Sequence, residues 1–183
     1  MSDPSESRAG AARTCGDCTL CCKLMAISAL GKPAGTWCPH CAVGHGCRIY
    51  PDRPPECRTF ACGWLVDPKL GEEWRPSRSH IVLVASQGQN RLAAHVDPAR
   101  ADAWRREPFY QRLKEWARAA ARVRGQVVVY VGRRATVILP DRDVAMGAMG
   151  DDDVIVVSVR MTPRGPHYDA RRANRNDAGV AAH

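Results

Sequence analysis

All nine cysteines of this 183-residue chain lie at or before residue 62. Four of them crowd into the stretch TCGDCTLCCKL, residues 14–24. Thiols spaced as CxxC can reach one ion together, which is why such pairs recur in zinc and iron–sulfur sites. The clustering therefore predicts that these cysteines share ions and that the rest of the chain folds without their help.

The sequence surrounding the cysteines favours an intracellular interpretation of the thiols. The first residues, MSDPSESRAGAART, lack the apolar core of a secretory signal, and no run approaches the roughly 20 apolar residues of a membrane span. We therefore expect a cytoplasmic protein without a membrane partner. Stable disulfides are uncommon in that compartment, so clustered thiols are expected to be metal ligands or redox-active groups.

A second group of cysteines lies in WCPHCAVGHGCRIYPDRPPECRTFACGW, residues 37–64. Together the two stretches read CxxCxxCC followed by GCxIYxxRPxxCRxFxCxW. This pattern closely resembles the bacterial cysteine cluster proteins of the YkgJ type, which are described as zinc- or iron-chelating domains. The resemblance covers residues 15–64, about a quarter of the chain. It implies a metal-binding chemistry without naming a reaction.

Carried over position by position, the resemblance implies eight metal ligands and leaves one cysteine aside. Cys41 looks like an addition to the family pattern and is the weakest ligand candidate. Eight sulfurs suit two tetrahedral zinc sites, or one four-cysteine iron–sulfur cluster with the other thiols structural or spare. Zinc is the preferred ion, with iron or an iron–sulfur cluster as the alternative, and the sequence does not sort the ligands into sets. The implied ligands are Cys15, Cys18, Cys21, Cys22, Cys38, Cys47, Cys57 and Cys62.

Helical spacing gives the first expectation about geometry. Cys15, Cys18 and Cys22 would share one face of a short helix, with Cys21 displaced to its flank. His40 and His45 lie among the cysteines and could replace a thiolate, although exposed turn histidines are the expected reading.

Cations and aromatic residues accompany the cysteines. A metal held by four thiolates carries negative charge, so nearby cations are expected to offset it. For Arg58 that role and a plain surface position stay equally open, whereas surface positions are expected for Lys23, Arg48 and Arg53. The nearby aromatic residues are expected to pack in a core: Trp37, Tyr50, Phe60 and Trp64.

After residue 76 the sequence changes to apolar runs suited to a conventional core. Residues 80–86 and 91–96 predict a strand hairpin, and a second hairpin flanks Gly132–Arg134. Asp97 and Pro98 predict a helix start, Pro108 predicts a restart, and an amphipathic helix is expected to close at Gly125. A further strand run spans 153–161. Strands, a helix and strands again predict an α+β fold with antiparallel hairpins and one main helix.

This composition divides the chain into four predicted parts. Residues 1–13 are expected to be disordered, 14–76 to form a cysteine cluster metal-binding module, 77–170 to form the α+β domain, and 171–183 to be a disordered tail. The module is small enough to depend on its metal for stability.

The functional expectation is a cytoplasmic metal-binding protein with an unidentified protein partner. We find no GxSxG, no glycine-rich phosphate loop, no HExxH and no dinucleotide motif, so no self-contained catalytic motif is present. Two alternatives stay open. One is a redox enzyme or enzyme component carrying an iron–sulfur cluster. The other is a nucleic-acid-binding protein with a zinc scaffold, to which the +8 formal charge gives only weak support.

Overall fold

The computed structural model describes residues 13–86 and 90–177. Within these ranges the fold is α+β, as predicted, with one main helix. The disordered N-terminus predicted for residues 1–13 lies outside the described residues except for Arg13. The same holds for three residues of the predicted turn, 87–89, and for residues 178–183 of the predicted tail.

Short helices and turns make up the cysteine-rich segment. The first helix begins only at Leu20, after a turn in which Gly16 adopts φ +53°, which a right-handed helix does not permit. Cys15 and Cys18 therefore precede the helix, and the single helical face predicted for Cys15, Cys18 and Cys22 is wrong. The elements of this segment are α1 (Leu20–Leu24), β1 (Cys41–Ala42), β2 (Gly46–Cys47), α2 (Pro55–Thr59), α3 (Gly63–Val66) and α4 (Pro76–Ser79).

A five-stranded sheet forms the centre of the second segment. Its strands are β3 (Ile81–Ser86), β4 (Arg91–Val96), β5 (Gln126–Val131), β6 (Arg134–Ile138) and β7 (Asp143–Ala148), in that spatial order. Both predicted hairpins are confirmed, β3 with β4 and β5 with β6. Strands β4 and β5 pair in parallel, because a long connection containing the main helix, α5 (Phe109–Arg122), separates them. Neither this parallel pairing nor β7 was predicted.

The main helix follows the sequence signals at its two ends. It begins directly after Pro108 and ends at Arg122, with Val123 at its C-cap and Gly125 just beyond. The predicted cap at Asp97 is also confirmed, because its carboxylate accepts a 3.0 Å hydrogen bond from the N–H of Ala99. The element that it opens, however, is a single 3-10 turn, Pro98–Arg100, rather than an α-helix. None of the helices in the described ranges combines the length and apolar character that a bilayer crossing requires.

One face of the sheet packs against both α5 and the cysteine-rich segment. Strand β3 lies against α1, α3 and α4, whereas β5 and β6 lie against α5. The approach of α3 is close, since a Cβ on Gly63 would stand 2.8 Å from the Cβ of Leu83. The core therefore continues across the boundary predicted after residue 76. Its members from the two sides include Leu20, Leu24, Trp64, Trp74, Leu83, Ala94, Leu113 and Val129.

A two-stranded ribbon covers the opposite face of the sheet. It consists of β8 (Asp153–Thr162) and β9 (Gly165–Asn174). Ile155 and Ala170 at its base are buried against Val128 and Val137 of the sheet. The strand predicted at 153–161 is confirmed, but β9 was missed. The disorder predicted from residue 171 is wrong for residues 171–174, because these residues complete the ribbon and Ala173 among them is buried.

Candidate metal centre

Eight of the nine cysteines line a single cavity of about 510 Å³ in the N-terminal segment. They are the same eight that the family resemblance implies as ligands, and Cys41 is not among the lining residues. Apolar side chains complete the wall, so the thiols face a largely apolar interior. The lining cysteines are Cys15, Cys18, Cys21, Cys22, Cys38, Cys47, Cys57 and Cys62.

Backbone hydrogen bonds bring the first cysteines to this cavity. The N–H of Cys18 donates to the carbonyl of Cys15 at 2.8 Å and closes the turn that precedes α1. Farther along the chain, the N–H of Cys38 donates to the carbonyl of Cys22 at 3.0 Å. That bond places the second group of cysteines directly beside α1.

The remaining cysteines are positioned by the β1–β2 pair and by two short helices. Cys47 stands opposite Cys41 in the β1–β2 pair. Cys57 lies on α2, whose start is set by Pro55 at a position where a missing N–H costs nothing. Cys62 immediately precedes α3, and its carbonyl accepts the N–H of Leu65 at 2.9 Å.

The cysteines of the cavity wall belong to two different hydrophobic clusters. Cys38 and Cys41 are buried together with Ile27, and Cys22 and Cys57 pack against that small cluster. Cys62 belongs instead to the main core, with Cys21 packed against it. The two adjacent cysteines of the CxxCxxCC motif thus contact different parts of the structure.

Four of the lining cysteines have raised pKa values, which favours the protonated thiol. The pKa values of Cys15, Cys57 and Cys62 are raised, chiefly because burial disfavours the thiolate. A hydrogen bond with Cys21 and burial raise the pKa of Cys22 still further. Neighbouring thiols add to the shift at each of these sites, since several negative charges would have to share one small volume. A cation entering the cavity would relieve that repulsion and displace the protons.

The donor set fits zinc or iron in its chemistry. All nine cysteines lie in the described residues as free thiols. Soft thiolates are the ligands that zinc and iron–sulfur clusters prefer. Within residues 13–86 and 90–177, however, no group of three or more His, Cys, Asp or Glu side chains is already arranged around a common ion position. Binding would therefore require thiol side chains to turn inward from the cavity wall.

The two histidines predicted as spare ligands differ in position. His40 lines the cavity, whereas His45 is exposed in the β1–β2 turn and is not among the lining residues. The imidazole of His40 is therefore the one that lies near the thiols.

Only one of the four cations considered beside the cysteines lines the cavity. Arg53 does so, and its charge partly counteracts the raised pKa of Cys15. Arg58 instead stabilises the proline loop, donating to the carbonyls of Arg53 at 2.8 Å and of Pro51 at 3.1 Å. Lys23 points toward the sheet, where its ammonium lies 2.7 Å from the carboxylate of Asp97.

Core packing is confirmed for two of the four aromatic residues and wrong for the others. Trp64 is buried, and Phe60 packs against the main core. Trp37 and Tyr50 are exposed, because each covers a cation at the surface rather than an apolar neighbour. The guanidinium of Arg53 lies 3.8 Å from the Tyr50 ring centre, and the Lys23 ammonium lies 5.7 Å from that of Trp37.

This segment is also stabilised by two basic residues that were not predicted from the sequence. Arg13 lies on the cavity wall and donates hydrogen bonds to the carbonyls of Trp64 at 2.7 Å and of Asp67 at 3.0 Å. Lys32 is buried, with 5% of its surface exposed, and its ammonium binds backbone carbonyls near α1. Nothing in the stretch ALGKPAG marks this lysine as internal, because its burial depends on long-range packing.

Comparisons with protein-family models, with curated proteins and with solved structures return no match for this chain. The resemblance to the YkgJ type therefore rests on the cysteine pattern and stays a prediction.

Proposed function

We propose that this protein binds a metal ion through the eight cysteines that line its N-terminal cavity. The observation that supports the proposal most strongly is the selection among the thiols. Eight of nine line one cavity, and the excluded residue is Cys41, the position that departs from the family pattern.

Zinc is the expected ion, with iron or an iron–sulfur cluster as the alternative. The choice between them decides what the site can do. A closed zinc site with four thiolates shapes and stabilises the segment around it, whereas an iron–sulfur cluster could also transfer electrons. Under either ion, each bound thiolate gives up its proton, so affinity decreases as the pH falls.

Metal analysis of protein purified anaerobically and without chelators tests this proposal. We expect one or two zinc ions per chain in colourless protein, or stoichiometric iron and acid-labile sulfide in brown protein. Protein that is folded and contains neither metal in stoichiometric amount would refute metal binding.

Cysteine variants show whether the metal occupies the cavity. Cys15→Ser and Cys57→Ser each remove a lining thiol and are expected to reduce the metal content per chain. Cys41→Ser is the matched control, because it makes the same chemical change at a buried cysteine that contacts Cys22 but lies outside the cavity lining. Equal losses in all three variants would contradict this assignment of ligands.

A further inference from the structure

Lys32 is a buried cation beside the cysteine cavity. Its ammonium donates to the carbonyls of Pro33 at 3.0 Å and of Lys23 at 3.2 Å, and also to the carbonyl of Met25. Two of these carbonyls belong to the end of α1 and the residue that caps it. The hydrogen bonds satisfy the three N–H donors, but carbonyl groups carry no formal charge. In the described residues, no carboxylate lies within salt-bridge distance of Lys32.

Backbone contacts place this ammonium next to one part of the cavity wall. Lys32 and Ile27 exchange backbone hydrogen bonds of 2.9 and 3.1 Å. The side chain of Ile27 packs with Cys38 and Cys41, and Cys22 and Cys57 lie against the same cluster. Of these cysteines, Cys22, Cys38 and Cys57 line the cavity. The lysine is thus held beside these three cysteines by the pairing of its own backbone.

The Lys32 ammonium and these cysteines interact electrostatically. Burial lowers the pKa of Lys32, and negative charge on Cys38, Cys22, Cys21 and Cys57 opposes that effect. An isolated buried charge is costly, so a buried ammonium is expected to have an anionic partner. The thiols are the nearby groups that can supply one.

We propose that the Lys32 ammonium is the built-in counter-charge of a metal–thiolate site formed by Cys22, Cys38 and Cys57. This inference rests on the proposed metal binding and specifies part of the cavity wall. Lys32 acts as a positioning residue: it does not touch the metal, but its charge offsets the negative charge that three or four thiolates leave on the complex.

A purely structural role for Lys32 predicts different behaviour. If the ammonium only fastens the three carbonyls, a neutral side chain with N–H donors should replace it without changing the affinity for metal. If its charge matters, that replacement should weaken metal binding even where the fold is kept. Lys32→Gln separates the two roles, because glutamine retains two N–H donors and loses the charge.

The affinity of the full chain for Zn²⁺, measured by competition with a chromophoric chelator, provides the test. We expect Lys32→Gln to weaken zinc binding about 10- to 100-fold, the usual effect of losing an outer-shell partner. Lys23→Gln is the matched control, since it removes the same charge beside Cys22 from an ammonium that faces Asp97. The control is expected to bind zinc like the wild type. Circular dichroism of each zinc-loaded variant verifies the fold.

The outcomes separate the inference from the function on which it rests. If the wild-type protein binds no zinc and also purifies without iron, the proposed metal site itself is refuted. Tight wild-type binding that Lys32→Gln leaves unchanged would overturn the role of Lys32 alone, as would an equal loss in Lys23→Gln. If Lys32→Gln does not fold, Lys32→Arg decides. Because arginine retains the positive charge, we expect Lys32→Arg to bind zinc with wild-type affinity. A loss of tenfold or more in folded protein would refute the inference.

Discussion

At the scale of single residues, Cys41 shows that burial alone does not distinguish a candidate metal ligand from a core residue. Cys41 is as buried as Cys38, and burial together with the neighbouring thiols raises the pKa of Cys41 to about 11. What distinguishes the two residues is that Cys38 lines the cavity and Cys41 does not, although Cys41 contacts Cys22. The family pattern set this residue apart without any knowledge of the cavity. The burial of Lys32, by contrast, depends on Ile27 and on contacts that the local sequence does not encode.

His95 provides a prediction about stability at acidic pH. Its ring stacks on Tyr130 with centroids 5.2 Å apart, and burial lowers its pKa from 6.5 to about 4. The folded state therefore holds a neutral imidazole under conditions in which the unfolded chain binds a proton. The stabilisation is complete above pH 6.5 and is lost as the pH falls toward 4.

Urea unfolding of wild-type protein and of His95→Phe, measured between pH 7 and pH 4, checks this expectation. Phenylalanine keeps a ring against Tyr130 and cannot be protonated. Relative to the variant, the wild type should lose free energy of unfolding as the pH falls from 7 to 4. A difference that stays constant over this range would show that His95 does not titrate as its burial implies.

At the scale of elements, the sequence predicts the strands that have strong apolar runs. It does not predict the strands whose pairing depends on their place in the fold. β5 reads QVVVYV and was predicted correctly. β7 reads DVAMGA, a weak pattern at the edge of the sheet that includes Gly147 at φ +75°. β9 reads GPHYDARRAN, which begins with Gly165 and Pro166 and contains no β-branched residue, so propensity alone does not mark it as a strand.

The ribbon formed by β8 and β9 is stabilised at its base rather than along its whole length. Ile155 is 5% exposed against the sheet, whereas Met161 near the tip is 75% exposed. Ile155→Ala is expected to lower the free energy of unfolding by about 2–4 kcal/mol, because it removes buried methyl groups and leaves a cavity. Met161→Ala should change it by less than about 0.5 kcal/mol.

Chemical denaturation of these two variants distinguishes base anchoring from a loosely attached arm. Equal, small effects would mean that the ribbon does not pack on Val128 and Val137 in solution. A large loss in Met161→Ala would mean that its exposed tip is covered by something else.

At the scale of the whole molecule, the cysteine-rich segment and the sheet share one interior. Trp64 and Trp74 from the first segment belong to the same core as Ile81 and Val129 from the sheet. The Lys23–Asp97 ion pair links the same two parts. Burial opposes ionisation of Asp97, but the hydrogen bond and charge of Lys23 hold its pKa below the usual value. The change of composition near residue 76 is clear in the sequence, whereas this shared core depends on contacts that only the folded chain brings together.

The central claim is that sulfur atoms of the N-terminal cavity hold a metal ion. X-ray absorption at the metal edge, on full-length protein purified anaerobically, tests this claim most directly because it identifies the atoms bonded to the metal. We predict a shell of about four sulfur atoms, at about 2.3 Å if the ion is zinc. A shell dominated by oxygen or nitrogen, or folded protein with no stoichiometric metal to measure, would contradict the account.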